Sequence, residues 1–325
     1  MDLLITHQSA LEYWRLCGNA AAGQNRRQRK STLPAGPPNA DIVRRLGDLG
    51  LSYPIHALVG RPEARRSSRK VKSRVLSGHL PEGCIVDAGD GLYVASPELC
   101  FFQMADELPF VKLLELGCEL CGSYTTPVRG NEIDVSEERL YNLRPLTSKS
   151  RLEATLARMS GLANQRRLLK ALRYIADGSA SPMETKLFLI LTLPYKYGGF
   201  NFATPQLNAK VTPGLSDRRL SSKKFFRCDL YWKEHSLAIE YDSNLKHLAP
   251  AELAADAMKR NSLKVMGVEV ITVTSKQVQN ARELEKTARQ LAASIGIRLR
   301  ISESERPRFA GTHRKLRNLL ELKII

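Results

Sequence analysis

The sequence predicts an α/β protein, with a C-terminal half built as an α/β sandwich around a mixed central sheet and an α+β domain before it. Three observations carry this. From Ser181 onward the order is helix, strand, antiparallel strand pair, helix, strand, helix, which layers helices over a sheet. The strands at 227–232 and 236–242 are separated only by Lys233-Glu234-His235, short enough for a hairpin. Ahead of residue 178, short apolar runs and basic helices follow one another with no internal repeat.

The elements follow in order. LLIT near the start reads as a strand, and SALEYWR as a short helix with Ser9 at its N-cap. The small, polar and basic stretch 17–39 reads as an exposed loop or linker. Residues 40–52 make a short amphipathic helix ending at a glycine. IHALV, VKSRVL, CIVDA and LYVA are strands set apart by turn residues. Between Arg61 and Arg74 lie seven basic residues and one acid. Such a run is most often a solvated surface; its functional reading is a nucleic-acid footprint. Ser96-Pro97 opens a helix, and VKLLELGCELCG forms the next. Residues 135–178 are helical and basic with one apolar stripe. The predicted organisation is therefore an α+β domain over 1–130, a helical connector over 131–178, an α/β domain over 179–300 and a basic tail over 301–325.

Bulk properties limit the function classes. Fifty Lys and Arg against 33 Asp and Glu leave a net charge of +17, which favours a polyanion as partner. No run of about 18 apolar residues exists to span a bilayer. The N-terminus lacks a signal-peptide apolar core, so the expected location is the cytoplasm. Cys118 and Cys121 are the only close cysteine pair; without a second pair they read as buried thiols rather than a zinc site.

The chemistry is expected where acids interrupt apolar strands. Asp229 sits inside RCDLYW, and Glu240 ends the run Leu237-Ala238-Ile239, with Asp242 two residues on. Positions two apart in a strand share a face, so Glu240 and Asp242 point the same way. The hairpin would bring Asp229 beside Glu240, so that three carboxylates converge at the ends of adjacent strands. Carboxylates gathered in this way repel and are costly to desolvate unless a cation joins them. Mg²⁺ (or Mn²⁺) takes carboxylate oxygens and keeps waters, so Asp229 and Glu240 are the expected metal ligands. Between them and a phosphodiester, such an ion activates water and offsets charge on the leaving oxygen. Glu184 has two readings, since Ser181-x-x-Glu184 also spells a capping box. Asp242 has two as well, because Asp-Ser-Asn also starts a turn.

From Ser181 to about Val278 these residues resemble the PD-(D/E)XK nuclease superfamily, closest to the branch of the very-short-patch-repair endonucleases. The resemblance rests on Glu184, on Asp229 in its strand, on Glu240-Tyr241-Asp242, on His247, on Asp256 and Arg260 along a helix, and on VEVITVT after Gly267. It implies a restriction-endonuclease-like fold and Mg²⁺-dependent phosphodiester hydrolysis. Asp229 and Glu240 would hold the metal, with Glu184, Asp242 and His247 as further catalytic residues. Two departures stand out. Asp242 occupies the superfamily's lysine position, and His247 lies one residue further on than usual, with Lys246 beside it. Residues 55–125 resemble abortive-infection-type antitoxin proteins, on the helix start Ser96-Pro97-Glu98 and on LCGSY, which implies a toxin partner.

Two functions follow. The first is a Mg²⁺-dependent endonuclease acting on nucleic acid, DNA ahead of RNA. Arg218, Arg219, Lys223, Lys224 and Arg227 lie close to the acids in sequence and are expected on phosphates, with Lys246, Lys259 and Arg260. For Lys259 a merely solvated position is the competing reading, and for Arg260 an intrahelical pair with Asp256. The second is a catalytically silent DNA-binding regulator on the same fold.

Overall fold

The computed structural model describes residues 2–23, 29–30, 37–76, 80–128, 140–159, 164–214, 224–242, 250–299, 301 and 306–322. The chain is an α/β protein that divides into two compact units, Met1–Asp177 and Gly178–Ile325. Each holds its own mixed sheet, and neither sheet closes into a barrel. Among the described residues no helix is long and apolar enough to cross a membrane.

The first unit runs β1 (Leu3–Ile5), α1 (His7–Gly23), β2 (Arg29–Lys30), α2 (Ala40–Asp48), β3 (Ile55–Val59), β4 (Val71–Val75), β5 (Ile85–Gly89), β6 (Leu92–Ala95), α3 (Pro97–Met104), α4 (Phe110–Leu120), α5 (Lys149–Arg158) and α6 (Gln165–Leu172). Its sheet order is β2-β5-β6-β1-β3-β4. Strand β1 is central because all three of its residues are apolar and buried, pairing parallel to β6 and antiparallel to β3. Helix starts follow side-chain chemistry. Asn39 caps α2 by accepting from Asp41 N at 2.9 Å, and Ser96 caps α3 by accepting from Leu99 N at 3.2 Å.

Among the described residues three acids lie inside this unit, and all are satisfied; Glu12 accepts from Gln8 Nε2 at 2.9 Å and from Ser52 N at 2.8 Å. Glu119 receives the Arg15 fork at 2.9 and 2.7 Å, together with Thr125 Oγ1 and the N–H and hydroxyl of Thr126. Glu98 accepts from Thr147 Oγ1 at 2.6 Å and from Arg151 at 3.1 Å. Cys118 and Cys121 are buried free thiols, and burial pushes Cys118 up to about 12.

Two expectations are corrected here. The stretch 17–39 is not loop throughout, since α1 continues to Gly23 through Ala20-Ala21-Ala22, whose helix propensity is high. The residues expected as a separate connector belong to the first unit, where α5 packs on α3 and α6 on α4. The part of that stretch at 135–139 lies outside the described residues.

The second unit runs α7 (Pro182–Thr192), β7 (Gln206–Val211), β8 (Phe226–Trp232), β9 (Leu237–Asp242), α8 (Pro250–Val265), β10 (Glu269–Thr274), α9 (Ser275–Gln279), α10 (Ala281–Ser294) and α11 (Arg306–Leu319). Its sheet order is β10-β9-β8-β7, with β7, β8 and β9 antiparallel in turn and β10 parallel to β9. The parallel pair needs a crossover, which α8 supplies. Phe226, Cys228 and Ala238 of the sheet form a core cluster with Leu263 of α8 and Val268. Leu187 to Leu191 of α7 are all buried, and α7 packs on β8. The last helix of the expected order forms as α10, and Asn280, between the short α9 and α10, caps it at Arg282 N and Glu283 N.

The segment expected as a basic tail, 301–325, instead carries α11. His313 Nδ1 lies 2.7 Å from Gly198 O, and Arg317 donates to the carbonyls of Val278 and Gln279 at 2.9 and 2.6 Å. Gly198 has φ 89, and a Cβ there would stand 2.4 Å from Thr312 O, so the helix lies directly against this glycine.

Candidate active site

The β8–β9 hairpin opens partway along its length. Its backbone register runs from Trp232↔Leu237 to Leu230↔Ile239. Beyond that point β8 stays paired to β7 as far as Phe226, and β9 stays paired to β10 as far as Asp242. Each inner strand thus keeps its outer neighbour while the two part from each other. Asp229 and Glu240 are the first residues past the parting.

The side chains across this split are tied to one another. Asp229 Oδ2 accepts the N–H of Tyr241 at 2.7 Å. Lys259, from α8, donates to Glu240 Oε2 at 2.6 Å. Glu240 Oε1 is buried with no hydrogen-bond partner. Burial, and then the charge of Asp229, push the Glu240 carboxyl up to about 7 against the pull of Lys259. Burial also raises Asp229, opposed by Tyr241 N–H and by Lys259. The buried Cys228 thiol is pushed up to about 12, by burial first and by the Glu240 charge second. These are the signs of anionic groups gathered with too little positive charge around them.

Glu184 approaches Asp229 from α7. Its backbone N–H bonds Ser181 Oγ at 3.1 Å, so the serine half of the predicted capping box forms. The carboxylate half does not. Glu184 Oε2 reaches past Ser181 to Ala180 N at 3.0 Å and accepts Asn208 Nδ2 at 2.7 Å. Burial and the Asp229 charge push Glu184 up to about 7 as well.

Of the other predicted site residues, Asp242 ends β9 opposite Thr274 of β10. Lys224, Arg227, Asp256 and Arg260 are exposed, and among the described residues Asp256 and Arg260 form no ion pair. Arg227 lies over the Phe225 ring, 5.9 Å from its centroid. Arg218, Arg219, Lys223, Lys246 and His247 lie outside the described residues. The expectation of three converging carboxylates is narrowed: among the described residues no three or more His, Cys, Asp or Glu side chains are grouped to hold a metal ion.

The pair Asp229 and Glu240 does fit a small hard cation as part of its shell. Glu240 Oε1 is buried and unused, and an ammonium group already holds Oε2. Substrate oxygens and water would complete such a shell, as Mg²⁺ prefers.

One residue tied to these acids escaped the sequence reading, and another was read for a different contact. Asn208, partner of Glu184, has φ 47 within a strand. Its signal is asparagine where strands usually exclude it. Lys259 was read as a phosphate contact, yet it lies four residues before Leu263, the buried residue of α8, so its direction toward the sheet was available from spacing. No protein-family model matches this chain, and neither does any curated protein or solved structure.

Proposed function

We propose that the second unit is a divalent-cation-dependent nuclease with a restriction-endonuclease-like architecture, hydrolysing phosphodiester bonds in nucleic acid, DNA ahead of RNA. The observation that carries this is the opened hairpin, where two half-buried carboxylates raised in pKa share a lysine. Asp229 and Glu240 would hold Mg²⁺ or Mn²⁺. When bound, the ion supplies Lewis acidity toward a phosphodiester oxygen and toward water.

The remaining roles belong to the chain. Tyr241 N–H fixes Asp229 Oδ2, and Lys259 fixes Glu240 Oε2, so both carboxylates enter the reaction already oriented. Lys259 takes the part that the superfamily's lysine would play, from a helix rather than from the position of Asp242. Glu184 Oε2 already accepts two N–H groups, so a proton on this carboxyl sits at Oε1. With a pKa of about 7 it can hold or release that proton near neutrality. Lys224, just before β8, and Arg227, within it, are exposed and would meet backbone phosphates.

The test is digestion of supercoiled plasmid with Mg²⁺ or Mn²⁺, comparing the natural protein with Asp229→Ala and Glu240→Ala. Cleavage that stops with either substitution or with chelator is expected. Cleavage that survives both substitutions contradicts the assignment.

The lysine already on Glu240 favours a second reading, in which the fold is catalytically silent and the protein is a DNA-binding regulator paired with a toxin. That reading expects salt-sensitive DNA binding without cleavage, indifferent to chelator.

A further inference from the structure

The basic run of the first unit folds into a compact, predominantly positive surface, with Glu63 its one acid, that the second unit's chemistry does not use. After β3, residues Pro62–Ala64 make one 3-10 turn, anchored by buried Ala64. The chain then returns along the outer side of β4 as a short ribbon. Ser73 N donates to Arg66 O at 2.9 Å, and Ser68 N to Val71 O at 2.8 Å. Ser67 bridges Lys72 antiparallel. Ser73 is 2% exposed, and its hydroxyl both accepts from Arg66 N and donates to Arg66 O. Ser68 Oγ closes the tip by accepting from the N–H groups of Lys70 and Val71. The ribbon is therefore a shaped scaffold rather than a loose charged loop.

Its charges are left open. Arg65, Arg66, Arg69, Lys70 and Lys72 are all exposed, and among the described residues none lies within salt-bridge distance of a carboxylate. Only Arg74, at the inner end, is paired, to Glu107 at 2.5 Å. Elsewhere some basic side chains, unlike Arg260, are paired with acids. Arg44 pairs with Asp41, Lys286 with Glu283, and Arg289 and Arg306 with Glu285. An ordinary solvated surface mixes signs as those helices do.

The field of the ribbon reaches inward. His7, whose Nε2 lies 2.6 Å from Arg74 Nη1, is held down at about 3 by burial first and then by Arg74, His56 and Lys72. His56 is lowered too, by burial, with Glu107 opposing and Arg74 and Lys72 adding to it. Uncompensated positive potential on a rigid two-stranded support calls for an anion of extended form.

We infer that the first unit grips the phosphodiester backbone of a nucleic acid through this ribbon, residues 65–74, as a binding surface of its own. A nucleic acid is favoured over a membrane because no large apolar side chain is exposed anywhere between residues 61 and 76 to enter a bilayer. It is favoured over an acidic protein because guanidinium groups spaced along a ribbon match a regular row of phosphates, with no apolar anchor for a protein interface.

The experiment uses the full chain in chelator, so cleavage plays no part. Binding to a labelled 20-base-pair duplex is followed by fluorescence anisotropy across a salt series. The variant is Arg65→Gln, Arg69→Gln, Lys70→Gln, chosen because none of these side chains holds the ribbon together. The expected result is at least a tenfold loss of affinity at low salt and a log–log salt slope shallower by about 2.7, three phosphate contacts at about 0.9 each. Lys286→Gln, Arg289→Gln serves as control and should leave both quantities unchanged. Circular dichroism shows whether the triple variant is folded. Unchanged affinity and slope in a folded triple variant would overturn the inference. So would a variant that loses binding to phosphatidylserine vesicles, or to polyglutamate, while its DNA binding is intact.

Discussion

The two units bury carboxylates in opposite ways. In the first, Glu119 is 7% exposed and Glu98 2%, and each is met by an arginine and by hydroxyl or amide donors. In the second, Asp229 and Glu240 flank one split with Lys259 as the cation on Glu240, while Glu184, which accepts two N–H groups, stands in the field of Asp229. A buried acid that serves the fold has its lone pairs filled by the fold. An acid left short of donors weakens the fold and is retained for something that arrives later. This contrast is stronger evidence for a site than burial alone, since the acids of both groups are at least half-buried.

The contrast can be broken by substitution. Asp229→Asn and Glu240→Gln should each lower metal-dependent cleavage about 100-fold or more, while the melting temperature holds or rises because a repelling charge is gone. A melting temperature that falls by several degrees would make these acids structural. Glu119→Gln should do the reverse, costing about 3–5 kcal/mol in urea unfolding because the Arg15 charge is left buried without its partner. Metal-dependent cleavage of the remaining folded protein should be unaffected.

Smaller effects sharpen the comparison. Lys259→Met removes the cation that opposes the rise of Glu240, so the pH at which cleavage reaches half its maximum should move up by about one unit. An unmoved profile would show that Lys259 does not act through Glu240. The pH dependence of stability should also differ in sign between the units. Glu184 and Glu240 stand at about 7 against an ordinary 4.5, so the folded second unit holds protons that the unfolded chain has lost. Its stability should fall as pH rises from about 4.5 through about 7, with buried His313, lowered by burial, opposing only in part. His7 is lowered from 6.5 to about 3, so the first unit should lose stability as pH falls below 6.5. Native-state hydrogen exchange, read on peptides from β1 and from β9 at pH 5 and pH 7, separates the two. Protection that changes in the same direction in both would contradict the electrostatic account.

Much of the fold was legible because strands and helices here carry clear periods and boundaries. LYVA, IHALV and VEVITVT are apolar runs of strand length, and Ser96-Pro97 and Ser181-Pro182 mark helix starts that the structure uses. The ends were less legible. GNAAAG reads as linker because its residues are small, yet alanine extends α1 readily. The charged residues of α11 hide a packed face, since His313 and Arg317 satisfy carbonyls brought from elsewhere in the chain. At the site, alternation and the three-residue turn placed Asp229 and Glu240 on facing strands. The parting of β8 from β9, and the particular carboxylates that Lys259 and Asn208 meet, depend on tertiary packing that no local pattern encodes.

The central claim is that Asp229 and Glu240 share a divalent ion. Titration of Mn²⁺ into the full chain at pH 7.5, with free Mn²⁺ read by electron paramagnetic resonance, tests it without any substrate. One bound equivalent that disappears in both Asp229→Asn and Glu240→Gln is the predicted result. No bound Mn²⁺ at millimolar concentration, or binding that both substitutions leave intact, would contradict it.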